Sequence, residues 1–192
     1  MKITRQTGRY IVNKLLERNK SFVEGELSKK EILQRRDSMR NGQKPYVTVL
    51  TCSDSRVIPE FIFDANIGEI FVIRVAGDIC DNSVLGSIEY GVEHLKTPLL
   101  VVLGHSKCGA VTAACASEGK RAGDNIDYIL DKITPAVKEG NIEASIEENL
   151  RIVEKEILEN SEVSKKLVDG GRLTIIKMKY ILDTGEVKEI KG

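Results

Sequence analysis

The sequence predicts an α/β fold: a single domain over residues 1–192, with a central, mostly parallel β-sheet flanked by helices. Short β-branched or apolar runs alternate along the chain with longer segments of helical periodicity, which is typical of parallel sheets. A length of 192 residues fits one domain. Hydrophobic residues make up 41% of the chain and charged residues 30%, which is the balance of a globular protein.

The first 42 residues are predicted to form an N-terminal helical arm. Residues 9–41 are helical in this prediction, with one apolar face made by Tyr10, Ile11, Val12, Leu15, Leu16 and Phe22. Ser28 followed by Glu31 resembles a capping box for a second helix, and Asn41-Gly42 ends that helix. An amphipathic arm of this length must pack either on the chain's own core or on a partner subunit.

The remainder of the chain alternates strands and helices. The predicted strands are, in chain order, 46–51, 69–75, 99–103, 172–178 and a short C-terminal edge strand, 186–190, that we expect to be antiparallel. The predicted helices are 59–63, 83–95, 108–115, 124–139 and 142–160. Ligands of parallel sheets bind beyond the carboxyl ends of the strands, so reactive residues that follow a strand are the first candidates for a site.

Charge and hydropathy argue against several classes of protein. Lys plus Arg number 29 and Asp plus Glu number 29, so the chain lacks the positive excess of a nucleic-acid-binding domain. No stretch approaches the roughly 20 apolar residues of a membrane helix, and the first residues contain no apolar signal region. We therefore expect a cytoplasmic protein without nucleic-acid or membrane partners. In that compartment the four cysteines are read as thiols or metal ligands before disulfides.

Two of the predicted strands end in clusters of reactive residues. Cys52 follows strand 46–51, whereas His105 and Cys108 follow strand 99–103. Two thiols and one imidazole suit Zn²⁺ and leave a fourth tetrahedral position open, which is the catalytic rather than the structural pattern. The site forms only if the two strands are neighbours. A redox pair of Cys52 with Cys108 is the alternative, and H-x-x-C alone is weak evidence for a metal.

Asp54 and Arg56 lie next to the first of these clusters. Residues two apart in an extended segment point to the same side, so this carboxylate and guanidinium can pair bidentately. A plain salt bridge is one reading. Beside a metal, the carboxylate can orient a reacting hydroxide, and the nearby cation keeps it ionised. The other cysteines and histidine, Cys80, Cys115 and His94, are interpreted as structural.

At these residues the chain resembles the β-class carbonic anhydrases. The resemblance covers TCSDSRVI, EIFVIRVAGD, SIEYGVEHL and VVLGHSKCGAV, and continues weakly to YILDTGEV near the end. It implies that Cys52, His105 and Cys108 hold one Zn²⁺ per chain and that Asp54 and Arg56 are the catalytic dyad. The implied reaction is the reversible hydration of CO₂ to bicarbonate and a proton by attack of zinc-bound hydroxide.

The resemblance also implies substrate contacts and an oligomer. Gln43, nine residues before Cys52, matches a glutamine that helps to hold substrate, and the backbone at Gly109 matches part of the same pocket. Members of the family are dimers or multiples of dimers whose N-terminal helices embrace the partner. We therefore expect a homodimer, or a multiple of dimers, in which the arm 1–42 packs on a partner subunit.

Some family patterns are only partly present. In one subgroup the aspartate leaves the arginine to become a fourth zinc ligand, and inhibitory bicarbonate is held by a Trp–Arg–Tyr set. Arg74 and Tyr90 fit two of those positions, but Val49 stands at the tryptophan position and the chain has no Trp. We therefore predict an open site, with Asp54 only as an alternative fourth ligand. Asp78 replaces a common asparagine, and Lys177 and Lys179 fall where relatives often carry small residues.

Three other functions compete with CO₂ hydration. Related folds hydrolyse COS or CS₂ at the same zinc site, and sequence does not show the access channel that decides between these substrates. A zinc-binding protein without turnover is the second alternative, but the intact Asp54 and Arg56 argue against it. A redox function, the third, would require a disulfide between Cys52 and Cys108.

Overall fold

The computed structural model describes residues 5–28 and 30–191, and its centre is a five-stranded sheet of order β2-β1-β3-β4-β5. The strands are β1 (Val47–Thr51), β2 (Ile70–Arg74), β3 (Leu99–His105), β4 (Thr174–Tyr180) and β5 (Val187–Ile190). β1 to β4 pair in parallel, and β5 pairs antiparallel with β4 at the edge. The predicted sheet, including its antiparallel C-terminal edge strand, is confirmed.

Helices cover both faces of this sheet. They are α1 (Arg5–Val23), α2 (Ile32–Ser38), α3 (Pro59–Ile62), α4 (Asn82–Glu89), α5 (Gly109–Ala116), α6 (Ile126–Ile133), α7 (Ile142–Asn160) and α8 (Glu162–Asp169). One apolar layer lies between the sheet and α1 with α3, and the other lies between the sheet and α4, α7 and α8. Among the described residues, no helix is both long enough and apolar enough to cross a membrane.

The structure corrects two helix predictions and adds one helix. The predicted helix 83–95 is α4 followed by a π-helical turn, Tyr90–His94, and α8 was not predicted at all. The predicted helix 124–139 is shorter, since α6 ends at Ile133 and a 3₁₀ turn, Thr134–Ala136, follows it.

The predicted capping box in the N-terminal arm is also wrong. The backbone N–H of Ser28 donates to Asp64 Oδ2 over 3.1 Å, so this residue is tied to the end of α3 rather than to a helix start. α2 begins only at Ile32, and the side chain of Glu31 makes no capping hydrogen bond. α2 also ends at Ser38, before Asn41-Gly42.

α1 packs on the core of its own chain. Ile11, Val12 and Leu15 are buried in the apolar layer that covers β1, β3 and β4. Tyr10, on the same helix, is 69% exposed. The packing of the arm on a partner subunit stays a prediction, for which this exposed side remains available.

Leu15→Ala and Tyr10→Ala distinguish the packing of α1 on its own core from its packing on a partner subunit. Removing a fully buried leucine should lower the free energy of unfolding by about 2–5 kcal/mol, because it leaves a cavity in the core. Tyr10→Ala is the matched control on the same helix and, at the lower protein concentration where subunits are separate, should change it by less than about 0.5 kcal/mol. Urea titrations at two protein concentrations measure both effects. A Tyr10→Ala loss that appears only at the higher concentration would place Tyr10 at a subunit interface.

Two lysines of β4 are buried against α7. Lys177 pairs with Glu154, and Lys179 pairs with Glu147 and Glu143, all three on α7. Buried lysines are retained when their charge is paired. Where relatives often carry small residues, this chain therefore has lysines whose charges are paired by glutamates on the facing helix.

Candidate metal centre

The candidate ligands meet where β1 and β3 end side by side. Thr51, the last residue of β1, is in register with Leu103 of β3, and its Oγ1 donates to the Leu103 carbonyl over 2.7 Å. Cys52 is therefore next to the end of β3, where His105 lies. Cys108 follows three residues later, directly before the first turn of α5. The condition set by the sequence, that the two strands be neighbours, is met.

Cys52, His105 and Cys108 form a compact and buried group. Their ligand atoms all lie within 4.8 Å of one another, and each side chain is at most 5% exposed. His105 Nδ1 lies 3.0 Å from the Ser106 carbonyl, so Nδ1 carries the proton and Nε2 is left with a lone pair. Nε2 is buried and has no hydrogen-bond partner. An unpaired buried nitrogen is costly unless it binds something.

The two thiols share a hydrogen bond. This bond from Cys108, helped by the backbone N–H groups of Gly77 and Asp54, lowers the pKa of the Cys52 thiol against the effect of burial. The same hydrogen bond, together with burial, raises the pKa of Cys108. A divalent cation that binds both sulfurs would replace the shared proton, because thiolates rather than thiols are metal ligands. Two sulfurs and one free imidazole nitrogen fit Zn²⁺.

Asp54 and Arg56 form the bidentate pair that their spacing predicts. Arg56 Nε donates to Asp54 Oδ1 over 2.9 Å and Nη2 donates to Oδ2 over 2.7 Å. The backbone N–H of Arg56 also donates to Oδ1, over 2.9 Å. These donors, the side chain of Arg56 first, hold the pKa of Asp54 well below its usual range despite burial. The carboxylate is therefore ionised at neutral pH.

The carboxylate of Asp54 faces the metal group without belonging to it. Asp54 Oδ2 lies 3.8 Å from His105 Nε2. Among the described residues, the group of ligand atoms that could hold one ion contains only Cys52, His105 and Cys108. Asp54 would thus lie beside a metal ion held by these three residues, while both of its oxygens are held by Arg56.

Arg74 and Gly77 support the site in a way that the sequence analysis missed. Arg74 Nη2 donates to the Asp54 carbonyl over 2.7 Å and its Nε donates to the Cys52 carbonyl over 3.3 Å, so this side chain fixes the loop that carries the thiol and the carboxylate. The Gly77 N–H donates to Cys52 Sγ over 3.4 Å. The only sequence signal for either role was the position of RVAG at the end of β2.

The other predicted site residues lie at different distances from this group. Gly109 follows Cys108 directly, and a Cβ built there would meet no atom within 4 Å, so the backbone faces open space. Gln43 is exposed and precedes β1, whereas Cys52 follows it. The five residues of β1 alone span about 15 Å. Gln43 therefore lies beyond the N-terminal end of β1, whereas the metal group of its own chain lies beyond the C-terminal end.

The remaining Cys and His residues are outside the group. Cys80 is buried beside α4, and burial raises the pKa of its thiol to about 12. Cys115 donates to Ser145 Oγ over 3.5 Å. The His94 ring stacks on Tyr90 with centroids 5.4 Å apart. All four cysteines are free.

Comparison with known proteins gives one consistent result. A family model described as carbonic anhydrase matches residues 47–187. Carbonic anhydrase 2 of Mycobacterium tuberculosis is 36% identical over 184 residues, which cover 89% of this chain and 87% of that protein.

Solved structures agree with that match. A Coccomyxa β-carbonic anhydrase in complex with acetazolamide matches with a TM-score of 0.73 and 26% identity, covering 93% of this chain and 86% of that chain. A structure from work on two tetrameric β-carbonic anhydrases of Sordaria macrospora gives a TM-score of 0.70 and 26% identity, covering 81% of this chain and 85% of that chain.

Proposed function

The chain belongs to the β-class carbonic anhydrases, and from that premise we propose that it hydrates CO₂ reversibly at a zinc ion held by Cys52, His105 and Cys108. The observation that carries the proposal is the buried Cys–His–Cys group with the Asp54–Arg56 pair directly beside it. A bound zinc ion is a Lewis acid that makes a hydroxide nucleophile available near neutral pH.

Asp54 is the residue proposed to orient the nucleophile. Its ionised carboxylate can only accept hydrogen bonds, so it accepts a hydrogen bond from the attacking group and turns the oxygen lone pair toward the CO₂ carbon. Arg56 holds the carboxylate in place through two side-chain hydrogen bonds. The carboxylate thus aligns the nucleophile before the reaction begins, which is where positioned groups contribute most.

The surroundings of the site suit a small uncharged substrate. The two cysteine ligands belong to a buried apolar cluster that also includes Ile79, Val111 and Ile133. Such walls exclude water and do not penalise the entry of CO₂, which has no net charge. The zero formal net charge of the chain is consistent with a substrate that needs no electrostatic steering.

We also propose that the working unit is a homodimer or a multiple of dimers, in which Gln43 of one subunit helps to hold the substrate of the other. The position of Gln43, at the far end of β1 from its own metal group, supports a contribution in trans. The tetrameric β-carbonic anhydrases of Sordaria macrospora support an oligomer.

A complementation experiment tests the contribution of Gln43. Gln43→Ala and Cys108→Ser are each expected to be nearly inactive alone, the first in both sites and the second through loss of metal. After subunit exchange in a mixture, the intact metal group of the Gln43→Ala chain would face an intact Gln43 of its partner, so activity should reappear. A mixture no more active than its two components would contradict a role of Gln43 in trans.

Metal analysis and substrate assays on the purified protein test the proposed function. We expect one zinc per chain, CO₂ hydration by stopped flow, and little hydrolysis of COS or CS₂. Turnover of COS or CS₂ that is faster than CO₂ hydration would show that the site serves that hydrolysis instead. Bound zinc without turnover of any of these substrates would indicate a zinc-binding protein. Chains without zinc that carry a Cys52–Cys108 disulfide would replace the proposal by a redox function. The expected cytoplasmic location fits thiol ligands that must stay reduced.

A further inference from the structure

A buried side-chain amide on α7 is hydrogen-bonded to the loop that follows β2. Asn149 is 2% exposed and lies on α7 between the core residues Ile146 and Leu150. Its Nδ2 donates to the carbonyl of Gly77 over 2.9 Å, across 72 residues of sequence. Burial of an amide in apolar surroundings costs free energy unless it is hydrogen-bonded, so this bond accounts for a polar residue at a core position.

Gly77 connects that amide to a metal-ligand candidate. Its carbonyl accepts from Asn149, and its N–H donates to Cys52 Sγ over 3.4 Å. The backbone there has φ of +72°, and a Cβ on it would lie 2.5 Å from Ile133 Cδ1. A glycine is therefore needed both for the conformation and for the close packing. Asn149 is the side chain that holds the carbonyl of this glycine in place.

We propose that Asn149 is a positioning residue of the metal centre: through Gly77 it fixes the backbone amide that donates to Cys52 Sγ, and thereby sets how strongly that sulfur binds zinc. The inference deepens the proposed function and rests on it. Asn149 does not touch the ligand group itself. Its effect passes through the Gly77 Cα, which joins the peptide whose carbonyl accepts from Asn149 to the preceding peptide, whose N–H must point at the sulfur.

The physical reason is the charge on the sulfur. An amide that donates to a thiolate stabilises part of its negative charge, and such a bond is sensitive to direction, since hydrogen bonds weaken steeply away from linearity. If the Gly77 carbonyl loses its donor, the Gly77 backbone is free to rotate on both sides of its Cα, and the N–H of the preceding peptide can turn away from the sulfur. Removing the partners that orient metal ligands typically lowers metal affinity by about 10- to 100-fold.

The test compares three variants of the full-length zinc protein. Asn149→Ala removes the amide and its volume, whereas Asn149→Leu removes the hydrogen bond but fills the space. Ser145→Ala is the matched control: Ser145 is a buried polar residue one turn earlier on α7, and its Oγ accepts from Lys138 N over 2.8 Å, so it ties down a different loop. Zinc affinity is measured by competition with a chromophoric chelator, and thermal melting reports the stability of each variant.

Cobalt substitution supplies a readout that a purely structural role would not change. In the Co²⁺-loaded protein, the thiolate-to-metal charge-transfer band reports the energy of the sulfur electrons. We expect both Asn149 variants to raise the zinc dissociation constant by about 10-fold or more and to move this band to lower energy. Ser145→Ala should lose thermal stability while it leaves the zinc dissociation constant and the band unchanged.

Several results would overturn the inference. If both Asn149 variants keep the unaltered zinc affinity and band position, Asn149 has no role at the metal. If Ser145→Ala changes both quantities as much at a similar loss of stability, the effect belongs to the fold in general. Should Asn149→Ala fail to fold, Asn149→Leu decides alone. An unaltered chain that binds no zinc would instead overturn the proposed function, and this inference with it.

Discussion

Cys108→Ser is expected to remove zinc from the protein and to reduce CO₂ hydration to the background rate. Serine is close to cysteine in size, so the buried position before α5 remains filled. Its hydroxyl does not ionise near neutral pH, however, and does not replace a thiolate as a zinc ligand. Only Cys52 and His105 would remain. We expect the zinc affinity to fall by more than about 100-fold, since even the partners that merely orient a ligand are worth 10- to 100-fold.

Cys115→Ser is the control for this variant. Cys115 lies on α5, where its thiol donates a hydrogen bond to Ser145 Oγ, and it is outside the ligand group. We expect this protein to keep one zinc per chain and the unaltered rate. Zinc content by atomic emission, after dialysis against a weak chelator, separates the two variants. Cys108→Ser protein that retains one zinc per chain and full activity would exclude Cys108 as a ligand.

The sequence predicted the sheet and the metal group because their signals are local. A β-branched or apolar run such as 47–51 or 99–103 predicts a strand by itself. Cys52 directly follows the first of these runs, and His105 follows the second after Gly104. Whether the two runs are neighbours is a property of the topology, and the order β2-β1-β3-β4-β5 supplies it. The Asp54–Arg56 pair was likewise predictable, since both partners lie within three residues.

Contacts between distant parts of the chain were not predictable in the same way. Asn149 appears in the sequence as one polar position in an amphipathic helix, and nothing local assigns it to Gly77. Lys177 departs from the small residue common in relatives, and nothing local indicates that Glu154 faces it. Ser28 matched a capping pattern, but Asp64, 36 residues away, takes its N–H. In each case a partner distant in sequence outweighs the local pattern.

Asp54→Asn is expected to separate zinc binding from catalysis. Asparagine keeps the shape of the side chain and one oxygen, but it loses the charge that pairs with Arg56 and it places an N–H₂ donor where an acceptor stood. Since Cys52, His105 and Cys108 form the ligand group without Asp54, the zinc content should stay at one per chain. The nucleophile would lose its acceptor, and positioned groups of this kind contribute about 10²- to 10⁴-fold, so we expect kcat/KM to fall by at least 100-fold.

The low pKa of Asp54 means that the Asp54→Asn comparison does not depend on pH over a wide range. Arg56 holds that pKa well below its usual range, so the carboxylate of the unaltered protein is charged throughout an assay from pH 6 to 9. Its protonation therefore contributes nothing to the pH profile, and the rate ratio of the unaltered protein to Asp54→Asn should be nearly constant across that range. Asp37→Asn is the matched control, because Asp37 pairs with Arg36 and Arg40 on the exposed surface of α2. It should retain full activity, whereas Asp54→Asn protein with one zinc and an unaltered kcat/KM would show that the carboxylate does not orient the nucleophile.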